Sequence, residues 1–116
     1  YEETHLMENA IYNELRLRGW NVDVGMVVVN SRNEQGVSQR KQLEIDFVCN
    51  KGYKRCYIQS ALSLPDEEKV LQEINSLQRI DDSFEKIVIV GGHAKPWIND
   101  NGIRFVNVYD FMLNDD

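Results

Sequence analysis

The strongest constraint on the fold is a pair of apolar-rich segments, LEIDFVCN and KRCYIQSAL, joined through Gly52 and Tyr53 within residues 43–62. Each segment has the length and the β-branched and aromatic content of a strand, and a glycine-containing turn between two such runs reads as a hairpin. With Gly52 and Tyr53 as the turn, Asp46 falls opposite Gln59, Glu44 opposite Ala61 and Cys49 opposite Cys56. Strict alternation then assigns Leu43, Ile45, Phe47, Cys49, Cys56, Ile58 and Leu62 to an apolar core face. The other face carries Glu44, Asp46, Val48, Tyr57, Gln59 and Ala61, so its polar residues are candidates for function.

The rest of the chain supplies elements that pack on this hairpin. Residues 3–18 read as a helix, with Leu6, Met7, Ala10, Ile11 and Leu15 as its apolar stripe, Thr4 as its N-cap and Gly19 as its stop. Residues 21–30 alternate as a strand, and Gly25 within it marks a bulge or a close approach by another group. Residues 30–41 read as a long polar hairpin loop, taken as the most basic local stretch through Arg32, Arg40 and Lys41. A second helix spans about 66–79, with Ser63 and Asp66 resembling a capping box and Val70, Leu71, Ile74 and Leu77 as its buried stripe. KIVIVGG, residues 86–92, is a strand covered on both faces. HAKPWINDNG is a loop, and a last strand at about 103–108 leads into a terminal helix or turn. The expected fold is one α/β domain over residues 1–116. Its first three strands form an antiparallel meander, and a right-handed helical crossover makes the fourth parallel to its neighbour, in a mixed β-sheet with flanking helices.

Composition narrows the function classes. With 13 basic against 19 acidic residues the net charge is −6, which disfavours DNA as a partner because nucleic-acid binding leaves a basic footprint. No apolar run approaches the roughly 20 residues of a membrane span. The acidic, polar first residues do not read as a signal peptide. Two cysteines make neither a disulfide framework nor a zinc pattern, and a reducing cytoplasm is the expected compartment. The chain starts on Tyr1, as expected of a fragment of a longer protein. His5, His93, Trp20 and Trp97 read as surface or rim residues, and no P-loop motif is present.

The candidate site is Asp46, Gln59 and Glu8, with Glu44 nearby and Lys69 as an additional cation. A magnesium ion that assists phosphodiester cleavage needs hard oxygen ligands, and a nearby lysine steadies the phosphate charge. The order of elements resembles the PD-(D/E)XK, restriction endonuclease-like superfamily, whose core runs α-β-β-β-α-β. Its acidic residue comes from the second strand and an (E/Q)-x-K triplet from the third. Here the matching positions are Asp46 and Gln59-Ser60-Ala61, with Glu8 as the helix glutamate. More closely, LMENAIYNELRLRGW, EIDFVCNKGYKRCYIQSAL, QEINSLQRIDDSFEKIVIV and GIRFVNVYDFML resemble the domain of unknown function that follows AAA+-type ATPase domains in bacterial and archaeal proteins. That resemblance implies an upstream ATPase domain in the same chain as the partner, with a further protein partner as the other option. The missing lysine at Ala61 and the neutral Gln59 point to a catalytically degenerate module that binds or docks, with Asp46, Gln59 and Glu8 vestigial. The alternatives are an active Mg2+-dependent DNA endonuclease, with Asp46 and Gln59 holding Mg2+, and a regulatory or oligomerisation domain without a nucleic-acid role.

Overall fold

A computed structural model describes residues 2–114; Tyr1 and the last two residues lie outside the described range. The elements are α1 (Glu2–Leu17), β1 (Asn21–Arg32), β2 (Ser38–Lys51), β3 (Lys54–Ala61), α2 (Glu67–Gln78), β4 (Glu85–Val90), β5 (Trp97–Ile98), β6 (Arg104–Asn107) and α3 (Val108–Leu113). Among the described residues six strands form one sheet, in the order β1-β2-β3-β4-β6-β5. β1, β2 and β3 are an antiparallel meander. The α2 crossover returns β4 parallel to β3, β6 is parallel to β4, and β5 is antiparallel to β6. The fold is α/β, a mixed sheet flanked by helices.

Both faces of the sheet are core. On one, Ile11 and Leu15 of α1 pack with Phe47, Cys49, Cys56, Ile58 and Ile89, joined by Phe111 and Met112 of α3. On the other, Ile74 and Leu77 of α2 pack with Ile45, Tyr57, Val88 and Phe105. β3 is therefore buried at every position from Cys56 to Ala61, and each fully covered aliphatic side chain contributes about 1.5–3 kcal/mol. Single-face burial, expected from strict alternation, does not hold, because α2 covers the second face, and β2 in addition changes phase. Asp23 pairs with Val48 but Gly25 pairs with Ile45, so Asp46 and Phe47 together oppose Val24 alone. This bulge sends Ile45 to the α2 face while Phe47 and Cys49 stay on the α1 face. Gly25 serves both roles foreseen for it. It borders the bulge, and a Cβ there would overlap Val48 Cγ2.

Several local expectations shift for physical reasons. Thr4 lies inside α1 and is not its cap, since Met7 offers no capping-box partner and Glu2 and Glu3 occupy the first turn, where the helix dipole favours them. The α1 stripe is Met7, Ile11 and Leu15, whereas Leu6 is 67% exposed and Ala10 is exposed. α1 stops as foreseen at Gly19 (φ 89°), where Trp20 N–H donates to Leu15 O and Gly19 N–H to Arg16 O. The segment 30–41 is mostly ladder, not loop. Pairing continues to Arg32 opposite Ser38, and the turn is held by Asn33 Oδ1 accepting from the N–H groups of Gln35 and Val37. A ribbon exposed on both sides carries polar side chains while its backbone still pairs, so polarity alone misread it. The cap of α2 is Asp66, which accepts from Lys69 N–H at 2.9 Å; Ser63 precedes it, and Leu71 is exposed. β5 falls inside the expected loop, with Trp97 stacked on Phe105 at 3.9 Å between centroids. The strand after α2 ends at Val90, before both glycines, and Leu62 lies beyond the end of β3.

A polar tie joins β3 to the connection between α2 and β4. The Tyr57 hydroxyl donates to Asp82 Oδ2 at 2.6 Å, and Lys86 Nζ and Phe84 N–H donate to Oδ1 at 3.0 and 2.9 Å. Desolvation opposes charge on Asp82, but the hydrogen bonds from Tyr57, Lys86 and Phe84 outweigh it and hold the carboxyl below its ordinary range.

Two outcomes follow from these contacts. Gly25→Ala should lower stability by about 1–3 kcal/mol through overpacking, and Val48→Ala in the same chain should recover part of that loss in a urea-unfolding double-mutant cycle. A carboxyl depressed in the folded state stabilises above its unfolded value and loses that contribution as pH falls through its folded value. The stability advantage of the parent chain over Asp82→Asn should therefore be full at neutral pH and shrink in the acid range, read from unfolding midpoints across pH.

Candidate functional site

The β2–β3 hairpin is zipped from Lys51 opposite Lys54 to Phe47 opposite Ile58, in the register expected from the Gly52–Tyr53 turn. Beyond Phe47 the two backbones part, and side chains take over. Asp46 N–H donates to Gln59 Oε1 at 2.7 Å. The Ser60 N–H and hydroxyl donate to Asp46 Oδ2 at 2.9 and 3.3 Å. Gln59 Nε2 donates to the Glu73 carbonyl of α2 at 3.3 Å. Each strand thus satisfies a backbone N–H of the other through a side chain, and Gln59 and Ser60 are both buried.

The geometry separates the residues that alternation places together. Gln59 reaches α2, whereas Ser60, in phase with Cys56 and Ile58, belongs to the face under α1, and the Asp46 carboxylate goes with it. Glu44 is exposed on the β1–β2 ribbon, opposite Met26. Glu8 is half-buried on α1, one residue beyond Met7 of the stripe. Lys69 pairs with Glu73 of its own helix at 3.2 Å, on the side of the sheet away from the Asp46 carboxylate. Ala61 is buried beside Val90. Among the described residues, no group of three or more His, Cys, Asp or Glu side chains stands close enough to hold a metal ion. The donor set does not fit magnesium. Gln59 Oε1 faces a backbone N–H, and Asp46 Oδ2 already accepts two hydrogen bonds, whereas Mg2+ demands near-octahedral oxygen ligands. Ser60, which completes the clasp, was not singled out from the sequence; its hydroxyl next to Gln59 was the available signal.

At the turn end of the same hairpin, a groove of about 890 Å³ opens on the α1 face. Its floor includes Ile58 and Ile87, and Trp20, Tyr53 and Phe84 bring aromatic rings to it. Lys54 stands at its rim, whereas the Arg55 guanidinium, in phase with Tyr57, lies over the Tyr57 ring on the α2 face. Residues 51–55, KGYKR, hold three cations in five positions, a denser basic stretch than 30–41. Lys51 Nζ bonds the Arg18 carbonyl and lies 5.8 Å from the centre of the Trp20 ring. Cys56, also on the groove wall, faces Cys49 across the strand pair; both are free, buried thiols. The contact with Cys56, together with burial, pushes the Cys49 thiol up from the usual thiol value.

No protein-family model matches the chain. It is similar to an uncharacterized protein of Haemophilus influenzae (strain ATCC 51907 / DSM 11121 / KW20 / Rd), 31% identical over 107 residues, which covers 92% of this chain and 22% of that protein. The chain thus spans about a fifth of the length of the curated relative it matches.

The clasp gives Asp46 a structural task whose loss is measurable. Asp46→Ala leaves the Ser60 N–H and hydroxyl without their acceptor and should cost about 1–3 kcal/mol. Chemical denaturation distinguishes this from a carboxylate held in reserve for a metal, whose removal would leave stability unchanged or higher.

Proposed function

We propose that this chain is a nuclease-like module that no longer performs phosphodiester chemistry and acts by binding or docking, within a longer protein that carries an ATPase domain. One observation carries the reading: the Asp46 and Gln59 side chains are spent on joining β2 to β3. A side chain that satisfies a buried backbone N–H cannot turn to a metal or a phosphate without leaving that group unpaired. The order of α1, the antiparallel meander, the α2 crossover and parallel β4 is compatible with a restriction endonuclease-like core and supports the ancestry. The relative that extends well beyond the matched segment supports the reading as a module. Val24, Met26 and Val28 support docking to the remainder of such a protein: they leave an exposed apolar stripe on edge strand β1, a surface that a neighbouring domain covers. The free thiols suit a reducing cytoplasm.

Incubation of the chain with supercoiled plasmid and either Mg2+ or Mn2+ should produce no nicked or linear DNA. Nicking that disappears in Asp46→Ala would replace this reading with that of a live metal-dependent endonuclease.

A further inference from the structure

We propose that Cys49 and Cys56 form a reversible thiol–disulfide pair, oxidised by a peroxide that reaches Cys56 through the groove at the turn end of the hairpin. The pair lies away from the Asp46 clasp, toward the opposite end of β3, and does not depend on whether that clasp is catalytic.

Register places the two sulfurs together. Cys49 and Cys56 are direct partners in the antiparallel pairing of β2 with β3. Directly opposed residues of such a pair have Cα atoms about 4.5–5.5 Å apart, inside the span of about 4.4–6.8 Å that a disulfide bridges. The two thiols are already in hydrogen-bonding contact, so the bond closes without rearranging the hairpin. They are the two cysteines of the chain, so within one molecule neither thiol has another partner. Ile11, Leu15, Phe47 and Ile58 pack around both, which keeps the thiols of other molecules out while the fold is intact.

Access distinguishes the two. Cys49 is 0% exposed, whereas Cys56 is 7% exposed and lines the groove. A small oxidant therefore meets Cys56 first, and Cys49 only reacts through it. Lys54 alternates in phase with Cys56 and lines the same groove, so its charge favours the attacking thiolate. Glu85 pairs with Cys56 along β4 and works against that thiolate, but its carboxylate is held by Arg104.

The chemistry balances with a peroxide as oxidant. The Cys56 thiolate attacks one peroxide oxygen, the O–O bond breaks, and hydroxide leaves and takes up a proton as water. Cys56 is now a sulfenic acid. The Cys49 sulfur gives up its proton and attacks the Cys56 sulfur, the S–O bond breaks, the S–S bond forms, and a second water leaves. Each sulfur is oxidised by one electron, and the peroxide takes both. A dithiol such as dithiothreitol reverses the bond by exchange. The product cross-links β2 to β3 near the turn, on the far side of the hairpin from the Asp46 clasp.

The test treats the folded chain with hydrogen peroxide, then unfolds it in urea and alkylates it with iodoacetamide. The expected result is a monomer that has lost two hydrogen atoms by intact mass and takes up no alkyl group, with both thiols restored by dithiothreitol. Cys49→Ala should halt at the sulfenic acid, which dimedone traps on Cys56. Cys56→Ala should oxidise at least about tenfold more slowly, because thiol reactivity follows exposure and thiolate character. Circular dichroism verifies that both variants fold, and the parent chain alone already decides the disulfide. Two alkylatable thiols after millimolar peroxide, a disulfide that forms only once the chain is unfolded, disulfide-linked dimers in place of the internal bond, or dimedone on Cys49 in preference to Cys56 would each overturn the assignment.

Discussion

Between Asp23 and Gly25, β1 offers one residue where β2 must place two, and the Asp46–Phe47 bulge absorbs the difference. The surplus residue turns Ile45 toward α2 and leaves Phe47 and Cys49 under α1, so a strand of simple alternation can furnish both cores. It also carries β2 away from β3 beyond Phe47. The backbone N–H groups freed by that divergence need acceptors, because a buried donor without one costs about 1–3 kcal/mol. Gly25 is the counterpart on β1, where Val48 occupies the space of a Cβ.

The clasp of Asp46, Gln59 and Ser60 is the answer to that requirement, and it explains why polar residues sit in an otherwise apolar hairpin. Gln59 does what no carboxylate could do at neutral pH in the same place, accepting from Asp46 N–H while donating to the Glu73 carbonyl. An amide at this position fits a structural joint better than a metal site. The strand divergence beyond Phe47 is closed by these side chains, which leaves no open face between β2 and β3 there.

The chain separates its charges by region. Acidic residues prevail overall, while the turn between β2 and β3 carries Lys51 beside Trp20 and Arg55 over Tyr57, on opposite faces of the sheet.

The sequence by itself determined the element order apart from the short β5, the meander and crossover, the hairpin register around Gly52–Tyr53, the facing cysteines and the stop of α1 at Gly19. Each rests on local periodicity or turn chemistry, encoded in neighbouring residues. Tertiary structure alone decided which face Ile45 and Asp46 occupy, because a bulge in β2 is set by pairing with β1 and leaves no mark in the alternation of β2 itself. It alone decided that the ribbon continues through residues 30–41, since a backbone ladder is indifferent to polar side chains. It decided, too, that Asp46 and Gln59 point to opposite sides of the sheet: one residue of register, fixed only by the neighbouring strand, turns an apparent metal face into a joint.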